Sequence, residues 1–181
     1  IRTNMQIYWD QIFMANNSSK TDINLSRLKP ISANLNFRGF SKLKKKNYSS
    51  PHFPEYYSID KNKKWRDLVG NYTRYGNTLP LLLDSDNKYV IMNSGDELSL
   101  EFDALKLPSL KKDWKRDFIF YNDGWLKDGD LNTAYGKTVA PLPFHGMSSD
   151  PEGALNRYPK DDDVLEYQKM YNTRQVDNST F

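Results

Sequence analysis

The sequence predicts a mainly β fold, an antiparallel β-sandwich-like domain with long loops and a short C-terminal helix. Three observations carry this reading. Apolar and polar residues alternate in several short runs, the period-two pattern of strands with one buried face. Clusters of Asp, Asn, Ser and Gly stand between the runs and form turns. A helical period occurs only at the end of the chain. Short strands separated by turns favour a sandwich over an α/β fold.

In chain order, Ile1, Thr3, Met5, Ile7 and Trp9 alternate with polar neighbours, which predicts a strand paired along residues 1–14. A strand standing this early predicts that the domain continues one lying upstream. Ala33, Leu35 and Phe37 alternate with Asn34, Asn36 and Arg38 and predict a second strand ending at Gly39. Residues 41–64 hold Lys42, Lys44, Lys45, Lys46, Pro51 and Pro54 and read as a long exposed loop. Trp65 to Tyr75 reads as a short helical turn broken by Gly70.

A meander should follow. Leu81–Leu83 leads through Asp84, Ser85, Asp86 and Asn87, a turn-forming cluster, to Lys88–Met92. A second turn at Asn93–Asp96 precedes the alternation of Leu98, Leu100 and Phe102. Asp117–Tyr121 is expected as the next strand and Lys137–Ala140 as the last. Asp163 with Glu166 forms a capping-box signal, and Val164, Tyr167 and Tyr171 fall on one helical face. The domain assignment is 1–160 for the β domain and 161–181 for the helix and tail.

The 181 residues suffice for one domain with a substantial core. With 38% apolar but 14% aromatic residues, that core rests on large rings rather than many aliphatic side chains. A net charge of +3 is small, and the lysine runs lack the interleaved aromatics of a nucleic-acid groove, so no nucleic-acid partner is expected. The absence of cysteine excludes disulfides, thiolate metal sites and cysteine nucleophiles. No apolar run approaches the roughly 20 residues of a membrane helix.

The densest chemistry lies in Asp117–Met147. Asp123, Asp128, Asp130 and Asn132, around Gly124 and Gly129, are oxygen donors of the kind that hard cations take, and calcium is the cation they would bind. The Asp-x-Asp-x-Asn spacing opens like a calcium loop, but position 139 is Val139 where such a loop needs a bidentate Glu. The reading favoured by this shortfall is a set of Asx-turns that only shape the loop. Trp9, Trp65, Trp125 and Tyr72 could form exposed platforms for a sugar or a partner, against the commoner reading as core. Two of Asp117, Asp123, Asp128 and Asp130 could serve as a glycosidase pair. His145 could act as a base or ligand, or sit in a turn hydrogen-bonded to backbone. No phosphate loop, dinucleotide fingerprint or nucleophile elbow is present.

Several stretches are familiar together: IRTNMQIYWDQ at 1–11, RGF at 38–40, YTRYG at 72–76, YVIMNSGDEL at 89–98, FYNDGWLKDGDLNT at 120–133 and PLPFHGM at 141–147. In this order they resemble the C-terminal region of large bacterial proteins with FG-GAP (VCBS-type) repeats and an ASPIC/UnbV domain, related to cartilage acidic protein. The resemblance spans roughly residues 1–147. It implies an exported protein (periplasmic, cell-surface or secreted), an upstream β-propeller and binding or assembly roles. It assigns no catalytic residue to this region, and its calcium belongs to the propeller repeats. The leading expectation is therefore a non-catalytic module packing on a neighbouring domain or subunit. A carbohydrate-binding module and an Asp-based hydrolase are the alternatives.

Overall fold

The computed structural model describes residues 23–62, 68–127, 135–147, 158–159 and 161–177. The strand expected at 1–14 lies outside them. The described chain is mainly β with one α-helix, and its strands form three small antiparallel sheets.

The first sheet is central. β1 (Ser32–Phe37) runs between the short β5 (Gly76–Asn77) and β6 (Asp96–Glu101). The expected alternations are found in part: Ala33 and Leu35, and Leu98 and Leu100, lie as expected, whereas Phe37 is exposed and Phe102 stands beyond β6. Ala33 pairs with Leu100 and Leu35 with Leu98, and the side chains of Ala33 and Leu35 are buried. The turn entering β6 is tied to the end of β1, because the N–H groups of Arg38 and Gly39 both donate to the Gly95 carbonyl at 3.0 Å. Gly95 has φ +83°, and a Cβ there would lie 2.6 Å from the Phe37 ring, so only glycine fits.

The second sheet corrects the long loop expected over 41–64. β2 (Phe40–Lys45) and β3 (His52–Asp60) form a hairpin with a register shift at Ser41/Lys42. The lysines obscured it, because they lie on an exposed ribbon held by its ladder, with Lys44 paired to Glu55 across it. Tyr56 anchors the hairpin to the first sheet. Its ring lies 3.9 Å under the Arg38 guanidinium and its hydroxyl donates to Glu97 at 2.6 Å.

The third sheet corrects the helical turn expected around Gly70. β4 (Gly70–Tyr72) pairs with β7 (Arg174–Val176), a strand the sequence reading passed over. Lys137–Ala140 contributes only a bridge, Val69 to Thr138.

Leu79–Leu81 is a 3₁₀ turn rather than a strand, with Leu81 buried. Residues 88–92 and 117–121 form no named strand either, which corrects two elements of the expected meander. The first of these stretches is nonetheless well bonded. The Ile91 N–H donates to the Thr73 hydroxyl at 2.8 Å, the Thr73 N–H donates to the Ile91 carbonyl at 3.1 Å, and the Tyr167 hydroxyl serves both backbone groups of Tyr89. Side chains here occupy the groups that a neighbouring strand would have used.

α1 (Asp162–Tyr171) starts one residue before the expected cap. Asp161, not Asp163, is the N-cap, and its carboxylate accepts from the Val164 N–H at 2.9 Å. Asp163 instead pairs with Lys88 at 2.8 Å. The expected buried face is present: Val164, Tyr167 and Tyr171 pack on Leu81, with Val90 and Tyr158 alongside. A second cluster joins Tyr72, Val139 and Val176, flanked by Leu68, Ile91 and Leu142. Val90 and Ile91 thus contribute to different clusters, as successive side chains of an extended chain do. Among the described residues no helix is long and apolar enough to cross a membrane.

Candidate functional site

Three chain segments converge beside the first cluster, whose Tyr158 hydroxyl donates to the Asn87 carbonyl and whose Tyr167 holds the Tyr89 backbone. Ser85, Asn87 and Tyr89 come from the stretch after the 3₁₀ turn, Asp123 and Trp125 from the loop after the extended 117–121, and His145 from the turn after Phe144. Residues 82–87 bend, and within the bend Asn87 reaches His145 while Ser85 reaches both His145 and Asp123. Phe144 is buried against Tyr158 and fixes the turn that carries His145.

His145 is held from several directions. Its N–H donates to the Asn87 side-chain carbonyl at 2.8 Å, and its ring Nδ1 lies 3.2 Å from the same oxygen. The Tyr89 ring stacks on the imidazole at 6.4 Å between centroids, and the Trp125 ring meets it edge-on at 6.5 Å. The other nitrogen, Nε2, faces Asp123 Oδ2 at 3.2 Å and Ser85 Oγ at 3.4 Å. The Ser85 hydroxyl also donates to Asp123 Oδ2. His145 and Asp123 remain partly open to solvent, with 41% and 36% of their side-chain surface exposed.

The bond from the Ser85 hydroxyl and the His145 ring beside it hold the Asp123 carboxyl below the usual carboxylate range. Burial pushes the Tyr89 hydroxyl up to about 12.

Chemically, this is an oriented imidazole presented with a carboxylate and a hydroxyl. It differs from a nucleophilic triad. There the orienting acid sits on Nδ1 and the serine proton goes to Nε2. Here an amide holds Nδ1, and the serine proton goes to the carboxylate.

The structure brings together three of the residues singled out in the sequence: Asp123, Trp125 and His145. His145 stands in a turn as expected, but the ring's partners are side chains rather than backbone. Tyr72 is also corrected. It is 3% exposed, its hydroxyl donates to the Leu68 carbonyl at 2.7 Å, and it belongs to the core. Trp125 is half exposed. Asp128, Asp130, Asn132, Trp9 and Trp65 lie outside the described residues, so neither the calcium loop nor a carboxylate pair is located. Ser85, Asn87 and Tyr89 were read only as turn and strand. No signal in the sequence joins them to Asp123 and His145, because the bend at 82–87 and the contacts it makes are created by the fold.

Comparison with protein-family models, with curated proteins and with solved structures found no significant match for this chain.

Proposed function

We propose that the chain is a non-catalytic binding and assembly module of a larger exported protein of the FG-GAP/ASPIC-UnbV kind, packing on a neighbouring domain or subunit outside the cytoplasm. One observation carries the reading. Phe118, Ile119, Phe120 and Tyr121 stand in sequence at 75%, 90%, 66% and 83% exposure. They line an open groove together with Leu98 and Leu100. Four consecutive exposed apolar side chains support an interaction site, whereas scattered single residues would not. The backbone there lies outside any sheet, so it can offer hydrogen-bonding groups as well as side chains to a partner.

The test is co-purification of the native assembly with a chain carrying Phe118→Ser and Phe120→Ser. Exposed positions should change stability by no more than about 0.5 kcal/mol, while the assembly should be lost. Retention of the assembly by the doubly substituted chain would reject the reading.

The carbohydrate-binding alternative rests on Trp125, half exposed beside Asp123, Asn87 and His145. Glycan-array binding that vanishes in Trp125→Ala would favour it.

A further inference from the structure

We propose that the groove beside Phe118–Tyr121 takes a peptide segment that is both apolar and acidic, supplied by the partner in the assembly. The inference rests on the assembly reading and adds the chemistry of the partner.

The apolar half follows from the lining. Leu98, Leu100 and Phe102 line the groove, whereas Glu97, Ser99 and Glu101 between them do not. That is the period of an extended chain presenting one face. β6 therefore gives the groove apolar side chains and no carboxylate. The consecutive exposed side chains from Phe118 to Tyr121 add to the same lining.

The acidic half follows from which charges are already matched. Asp84, Asp86 and Asp123 line the groove, but each is engaged within the chain. Lys29 lies 2.9 Å from Asp84, Lys88 lies 3.5 Å from Asp86, and Asp123 is bonded to Ser85 and His145. Asp113 and Asp117 are the other carboxylates of the lining. Arg27, Lys111, Lys115 and Arg116 line it too, and they make no ion pair among the described residues. The cations left over thus outnumber the carboxylates left over. The excess is concentrated just before the apolar strip. Residues 104–116 hold Lys106, Lys111, Lys112, Lys115 and Arg116 against Asp113 alone, five charges less one, a net +4.

A partner that covers the strip brings its own charges within reach of Lys111, Lys115 and Arg116. Interfaces set opposite potentials against each other and reject like charges, so carboxylates are the complementary groups. The groove is concave, so a chain segment can lie in it, whereas the flat surface of a bilayer does not enter.

The test is fluorescence anisotropy of the full chain with two labelled peptides, one of alternating Val and Glu and one of alternating Val and Lys. The glutamate peptide should bind about tenfold more tightly in 50 mM salt. The difference should shrink in 500 mM salt, because screening shortens the reach of exposed charges. The double variant Lys111→Glu, Lys115→Glu should reverse the preference. Lys45→Glu with Lys46→Glu makes the same change in net charge on the β2–β3 hairpin, outside the groove, and should leave the preference as it was. All four lysines are exposed, so neither variant disturbs the core. Phe118→Ser with Phe120→Ser should abolish binding of both peptides. Equal affinity for the two peptides, still lost in the Phe118/Phe120 variant, would overturn the acidic partner and leave the groove as an assembly site. Binding that survives the Phe118/Phe120 variant would sink both readings. A preference altered equally by the hairpin variant, or binding to phosphatidylglycerol vesicles with none to either peptide, would also overturn the proposal.

Discussion

The Tyr167 hydroxyl donates to the Tyr89 carbonyl at 2.7 Å and accepts from the Tyr89 N–H at 3.0 Å. One phenol on α1 thus serves both backbone groups of a residue 78 positions away, as a neighbouring strand would. It also accepts from the Asn172 amide at 3.2 Å. The segment bearing Ser85, Asn87 and Tyr89 is therefore fixed in place by the C-terminal helix, and the site depends on that docking.

Tyr167→Phe keeps the buried ring and removes these bonds. Two partly buried backbone groups lose their partner, which should cost about 1–3 kcal/mol in denaturant unfolding. An unchanged midpoint would show that water replaces the hydroxyl.

Arg174 closes the other end of the same region. Its guanidinium pairs with Asp96, whose side chain is fully buried, and lies 4.3 Å from the Tyr75 ring centre. Asp96 also accepts from the Tyr75 hydroxyl at 2.9 Å and from the Asn93 N–H at 2.7 Å. Arg174→Met should cost about 3 kcal/mol, because it leaves a buried carboxylate without its cation. Adding Asp96→Asn should recover part of that loss. A double variant no more stable than Arg174→Met would contradict the pairing as the cause.

Burial raises the Tyr89 hydroxyl to about 12 from an ordinary value near 10, and raises Tyr158 and Tyr167 in the same direction. Between these limits the unfolded chain has released protons that the native chain still holds. Stability is therefore full below pH 10 and falls as pH rises toward 12. Urea midpoints at pH 9, 10 and 11 should decline, and Tyr89→Phe should decline less. A flat profile for the native sequence would refute the shift.

Much of the fold was legible. The alternation Ala33-Leu35-Phe37 sits in β1 and Leu98-Leu100 in β6, because each has one face on the core and nothing competes with the period. Val164, Tyr167 and Tyr171 are buried on α1 as their spacing requires. The misses share a cause. Residues 88–92 and 117–121 have strand composition, but pairing is a tertiary event that composition cannot see. Thr73 and Tyr167 occupy the backbone of the first, and the second has no ladder. In the hairpin, Lys42, Lys44 and Pro54 masked strands whose faces are largely solvated. His145 and Asp123 stood out as isolated residues, but their partner Ser85 comes from a segment 38 positions before Asp123, a proximity only the fold creates.

The assembly reading is tested most directly by a photoreactive residue at position 119, where Ile119 is 90% exposed within the apolar groove. The control is Tyr48, 96% exposed at the tip of the β2–β3 hairpin. After irradiation of the native cell envelope, position 119 should give one discrete adduct, to a single partner or to another domain of the same polypeptide. Position 48 should give little. Equal labelling at the two positions, or none at 119, would contradict the account.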